Sequence, residues 1–177
     1  MWFLAVTLAL AATKGAASGT YCGTNNENCD AYQVISSSQS KYFGGTTSEI
    51  AESSCVVMVP QSLDEAGRTA DYIFLGRENS SVPFTNETTT LIAGSSPGSD
   101  SLTVFFPQYN ASIKEVVLYS DYASCDILGV GAGPDGDVLW YYEKATPAQK
   151  EICWGTYKNI TMANNYTAYP ADSCSVP

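Results

Sequence analysis

Residues 113–130 read IKEVVLYSDYASCDILGV. Two apolar runs, Ile113–Tyr119 and Ser124–Val130, flank a polar segment, and both have the composition of β-strands. Asp126 stands out within the second run, because aspartate is among the residues most depleted from strands. It is either an outward position beside a loop or a carboxylate aimed at a ligand.

The same grammar extends in both directions. Cys55–Val59, Ala70–Arg77, Thr88–Ala93, Leu102–Phe106 and Val138–Glu143 also read as strands, separated by Asp-Glu-Ala-Gly, Asn-Ser-Ser, Gly-Ser-Ser-Pro-Gly-Ser-Asp, Pro-Gln-Tyr-Asn and Gly-Pro-Asp-Gly. Many short strands at this spacing predict an antiparallel sandwich or barrel. Thr146, Pro147 and Gln149 form a helix capping box, predicting a helix to about Tyr157 that carries Cys153. A weaker helical signal lies near Asp30–Ser37, where Val34, Ile35 and three serines are poor helix formers. An immunoglobulin-like sandwich fits badly: no tryptophan follows Cys55 until Trp140, and Tyr122 is three residues before Cys125 rather than two. A barrel closed by a packed helix is the better reading.

Composition bounds the function. An apolar run from Trp2 to Ala12 meets small residues at Ala16, Ala17 and Ser18, which predicts a cleaved signal peptide over residues 1–18 and one domain over 19–177. That run is too short to span a bilayer. The net charge of −10 becomes one unit more negative when Lys14 leaves with the leader. So acidic a surface repels nucleic acid and anionic membranes. Six cysteines in a secretory context predict three disulfides, and five sequons, at Asn79, Asn86, Asn110, Asn159 and Asn165, predict a glycoprotein. There is no histidine. Ser-His-Asp and Cys-His catalysis are therefore excluded, the commonest zinc ligand is missing, and paired cysteines leave no thiolate nucleophile. Carboxylate-only catalysis survives on composition alone, but the chain reads as a binding protein needing neither metal nor cofactor.

The stretch EVVLYSDYASCDILGV, followed by Val138-Leu139-Trp140 and Cys153, resembles the tick salivary lipocalins of the histamine-binding group. Their amine-binding signature is Cys-Asp-[Val/Ile/Leu], a gap, Glu-Leu-[Trp/Tyr], a second gap and Cys. Cys125-Asp126-Ile127 and Cys153 match it, and both gaps fit, but Val138 stands where the signature has Glu. CVVMV, the acidic turn at Asp64 and Glu65, and ADYIFLGREN look like the second and third strands of that family. The resemblance implies an eight-stranded antiparallel barrel with a C-terminal helix packed outside. It also implies bridges Cys55–Cys174 and Cys125–Cys153, which leaves Cys22 with Cys29.

Such a barrel holds one small ligand. An ammonium entering it loses hydration that only an opposite charge with hydrogen bonds repays, and aromatic faces add cation–π attraction. By the resemblance, Glu87 and Glu115 are inward carboxylates beside Asp126, Phe105 sits near a ligand contact, and Trp140 closes the signature. Alternation supports Glu87, since Asn86 is a sequon and should face solvent. On the neighbouring strand Ile113, Glu115, Val117 and Tyr119 share one face, although Lys114, Val116 and Leu118 are nearly as apolar. Strand-end glutamates are usually solvated, and aromatic residues such as Tyr72, Phe74, Phe106 and Tyr142 are usually barrel core. Lys41 and Arg77 are expected at the surface.

Some members of that group hold two ligands, one at each barrel end. Glu87 and Glu115 would serve one end and Asp126 the other, where Val138 replaces an acid and no acid stands near Thr46. Asp137 is adjacent but faces the opposite way unless a bulge intervenes. The expected function is therefore capture of histamine or serotonin by a secreted, monomeric salivary protein, mainly through Glu87 and Glu115. Two readings compete with it. One is a scavenger of lipid mediators such as leukotrienes, for which Lys114 is the most plausible basic residue in a strand. The other is a protein-binding inhibitor of host complement, clotting or chemokines.

Overall fold

Strand after strand buries alternate residues, which is what a sheet with one face on a core requires. The computed structural model describes residues 29–47, 55–77, 81–130, 136–161, 167–168 and 174; the expected leader, Cys22, Asn79 and Asn165 lie outside them. The order is α1 (Ala31–Ile35), β1 (Lys41–Thr46), β2 (Cys55–Asp64), β3 (Thr69–Arg77), β4 (Thr85–Ala93), β5 (Ser101–Phe106), β6 (Ala111–Ser120), β7 (Cys125–Val130), β8 (Val138–Tyr142), α2 (Pro147–Thr161) and β9 (Thr167–Ala168). Strands β2 to β8 pair antiparallel in sequence order, and β1 bridges β8 to β2. The result is a closed eight-stranded barrel, and the short β9 pairs with the far end of β1.

Strands β7 and β8 are the exception to alternation: nearly every residue in them is buried. Their inner residues, Leu128, Val138 and Trp140, belong to the barrel core, while Ile127, Leu139 and Tyr141 pack beneath α2 with Cys153 and Tyr157. CDILGV is almost continuously buried, Asp126 included, because both of its faces are covered. Burying Ile127 or Leu139 this completely contributes about 1.5–3 kcal/mol each. Helix α2 starts at the predicted capping box: Thr146 N donates to Gln149 Oε1 at 2.8 Å, and Gln149 N donates to Thr146 Oγ1 at 3.3 Å. It presents Cys153, Tyr157 and Thr161, spaced by four, to the wall. Tyr157 OH donates to the Asp137 carbonyl at 2.8 Å, and Cys125–Cys153 bolts the helix to β7. Cys55–Cys174 ties the C-terminal segment to the start of β2.

Helix α1 plugs one end of the barrel. Ala31 N donates to Ser99 O between β4 and β5 at 2.8 Å, and Asp30 N donates to the Tyr122 hydroxyl between β6 and β7 at 2.9 Å. Arg68, between β2 and β3, reaches Asp30 at 3.1 Å and lies over the Tyr32 ring. Three turns thus grip one short helix, which explains how so poor a helix-forming sequence stays helical.

Candidate ligand-binding site

Beneath α1 lies a buried polar cluster. Asp126 on β7 points inward and has no solvent exposure. Its Oδ1 accepts from Ser120 Oγ at 2.6 Å and from Tyr142 OH at 3.0 Å, and its Oδ2 is paired with Lys41 Nζ. Lys41 also donates to Val34 O at 2.9 Å, and its ammonium lies 4.6 Å from the Tyr142 ring centroid. Burial draws the Lys41 pKa below that of a free lysine, and the adjoining Asp126 opposes the fall. Burial, with Asp126 nearby, raises the Tyr72 and Tyr142 phenols. Lys41, expected at the surface, is in fact 1% exposed, because an inward position on β1 places it against a carboxylate 85 residues away in sequence.

Ser120 reaches Asp126 through a bulge. The pairing of β6 with β7 shifts between Val117 and Tyr119. Val117 faces the core, but Tyr119 turns outward beneath α2 and Ser120 takes the inner position. The single inner face expected for Ile113, Glu115, Val117 and Tyr119 therefore ends at Val117.

The other half of the barrel contains a cavity of about 100 Å³. It is smaller than the dry cavity of about 150 Å³ that admits benzene, so a ring entering it must displace side chains of the wall. Met58, Phe74, Leu91, Leu102, Phe106 and Trp140 form most of its wall, and Glu115 is the one charged residue among the described residues lining it. Desolvation alone pushes the Glu115 carboxyl up to about 7. The Phe74 ring stands edge-on to Trp140, with centroids 5.9 Å apart, and 6.4 Å from Phe106. Glu87 is directly opposite Phe74 in the β3–β4 pairing and therefore shares its inward face. Its Oε1 is buried without a hydrogen-bond partner among the described residues, as is Oγ1 of Thr89, two positions further along the same face. Among the described residues, one wall thus offers unpaired oxygens at Glu87 and Thr89, and the cavity itself holds a carboxyl at Glu115 with no cation beside it.

The expected site residues therefore separate. Glu115 and Trp140 meet in the cavity, Glu87 faces inward beside Phe74, and Asp126 belongs to the closed end, bound to Lys41. Phe105 alternates to the outer face, and its neighbour Phe106 lines the cavity instead. Val138, where the signature has Glu, lines the cavity, whereas Asp137 is not among the lining residues. Sequence reasoning missed Thr89, which the Glu87–Leu91 alternation could have supplied. Asn86 and Asn110 are exposed, as sequons require, and so is Asn159 on α2.

Solved structures share this architecture. AM182, in its serotonin complex, aligns with a TM-score of 0.63 at 19% identity, over 84% of this chain and 94% of its own. Japanin from Rhipicephalus appendiculatus, bound to cholesterol, aligns at 0.61 and 16%, over 77% and 94%. The siderocalin Ex-FABP aligns at 0.50 and 16%, over 79% and 95%. At these identities the likeness establishes the fold, a lipocalin-type barrel. No curated protein sequence matches. The family model of the tick histamine binding protein matches residues 23–176, which spans the barrel, α2 and both bridges, and the chain belongs to that family.

Proposed function

We propose that this protein is a secreted salivary lipocalin that sequesters one small host amine, histamine or serotonin, in the open half of its barrel. The observation carrying this reading is Glu115, a single uncompensated carboxyl in an otherwise apolar wall. Burying an acid there costs stability unless a cation arrives to pair with it. A protonated amine brings that charge, and Phe74, Phe106 and Trp140 supply aromatic faces. Glu87 Oε1 and Thr89 Oγ1 lie on the same inner surface as further acceptors. The predicted leader, the sequons and the two bridges support secretion. The binding is stoichiometric, with affinity set by one desolvated charge pair. Calorimetric titration of the deglycosylated protein with histamine and serotonin tests the proposal; no heat with either amine at high protein concentration overturns it.

The apolar wall favours one competitor, a lipid. An acidic lipid would need a cation in the cavity, yet no lysine or arginine is among the described lining residues, Lys41 is engaged by Asp126, and Lys114 is exposed. Mass spectrometry of the purified protein distinguishes the two: a co-purifying lipid at near-unit stoichiometry would favour the lipid reading.

A further inference from the structure

Around Lys41 Nζ the barrel assembles everything that recognises a primary ammonium. Asp126 provides a carboxylate, Val34 a carbonyl acceptor at 2.9 Å, and Tyr142 an aromatic face at 4.6 Å. None of these groups belongs to β1, which carries the lysine. Asp126 is held independently by Ser120 from β6, at 2.6 Å, and by the Tyr142 hydroxyl from β8, at 3.0 Å. Val34 O lies near the end of α1, a helix anchored by its own contacts to three turns. The receptor is therefore built by four other elements, and the lysine side chain enters it from β1 with almost no exposure. That arrangement differs from an ion pair in which each charge is the other's only support.

We infer that Lys41 is a tethered ligand: the closed half of the barrel is an alkylammonium site, filled from within by the chain's own lysine and thereby denied to a free amine. Its specificity is for an unbranched primary ammonium, the chemistry of the side chain that fills it. The inference is independent of what the open cavity binds, because it stands on contacts in the other half of the barrel.

The test is refilling. Lys41→Ala deletes three carbons and the ammonium, which together are n-propylammonium. Thermal unfolding of this variant is measured with increasing n-propylammonium chloride, against matched sodium chloride and 1-propanol. A specific site raises Tm by about 3–6 °C for each tenfold increase in free amine above its Kd. The wild type and Lys41→Ala/Asp126→Asn keep the open cavity and report any propylammonium held there, so the shift of Lys41→Ala should exceed that of both. If Lys41→Ala does not fold alone, its refolding yield with propylammonium replaces Tm as the readout, and Lys41→Met/Asp126→Asn checks that the position tolerates a neutral pair. A response to propylammonium no greater than to salt, or an equal response in the double variant, overturns the inference. Failure to refold in either condition does so too. Amine titration of the wild type reads the open cavity separately, so a negative result there leaves this inference standing.

Discussion

Lowering the pH from 8 to 6 should weaken serotonin binding about tenfold, through one carboxyl. In the empty barrel Glu115 titrates at about 7 because the cavity desolvates it. At pH 8 it is about nine-tenths ionised and at pH 6 about one-tenth, so only a tenth of the molecules present the countercharge. An ammonium in the cavity returns the carboxyl toward its ordinary range, so binding at pH 6 should release about 0.9 proton and at pH 8 about 0.1. Serotonin suits the measurement because its alkylamine, like that of lysine, stays protonated throughout, whereas the imidazole of histamine titrates in the same window. Calorimetry at each pH, in two buffers of different ionisation enthalpy, gives both affinity and proton count. Glu115→Gln should remove the pH dependence and cost about 2–5 kcal/mol of binding, at least 30-fold. Equal affinity at pH 6 and 8 with no proton release would show that Glu115 is not the countercharge.

Three further outcomes follow from the same geometry. The folded Glu115 pKa is raised, so the empty protein bears no cost below the unfolded value of about 4.5, and the full cost above about 7; Glu115→Gln should match wild type at pH 4 and exceed it by about 2–3 kcal/mol at pH 8, allowing for the solvent that reaches this partly exposed group. Urea unfolding at the two pH values checks this, and equal stability at pH 8 contradicts it. Asp126→Asn leaves the Lys41 ammonium buried without a charge partner and should cost about 3–5 kcal/mol of stability, while amine affinity changes by less than twofold. A large loss of affinity in a folded Asp126→Asn protein would place the ligand at the closed end instead. Gly44, at the irregularity where the β1–β8 pairing shifts, has the Tyr141 ring where a Cβ would sit, so Gly44→Ala should lower stability by about 1–3 kcal/mol in the same assay.

The barrel was largely legible because strands β2 to β8 carry their own period and turns, and α2 carries its capping box. What escaped was non-local. β1 has too short a pattern, interrupted by Gly44 and Gly45, to read as a strand before its neighbours are known. The outward turn of Tyr119 follows from a bulge at Leu118 that no local signal marks. Lys41 looks like a surface residue until Asp126 and Tyr142 are placed opposite it. Within the site, the family resemblance supplied Glu87, Glu115 and Phe105 as candidates and alternation spoke only for Glu87; the cavity is lined by Glu115 and by Phe106, the neighbour of Phe105. The departure at Val138 was plain in the sequence; its meaning needed the structure, which shows an apolar cavity wall there and an amine-like cation already lodged beside Asp126.

The final strand gives the C-terminal segment a mechanical meaning. Among the described residues β1 pairs with β2 at Lys41 and Tyr42; further along, Gly45 and Thr46 pair with Ala168 and Thr167 of β9. Six residues beyond β9, Cys174 is fastened to Cys55 at the start of β2, so the segment that carries β9 is tied to both β1 and β2. Removing it would expose a short open sheet edge, the kind of edge that recruits a strand from another molecule. The segment that carries Thr167, Ala168 and Cys174 thus acts as a latch on the container, holding β1 and β2 together from outside the eight-strand ladder.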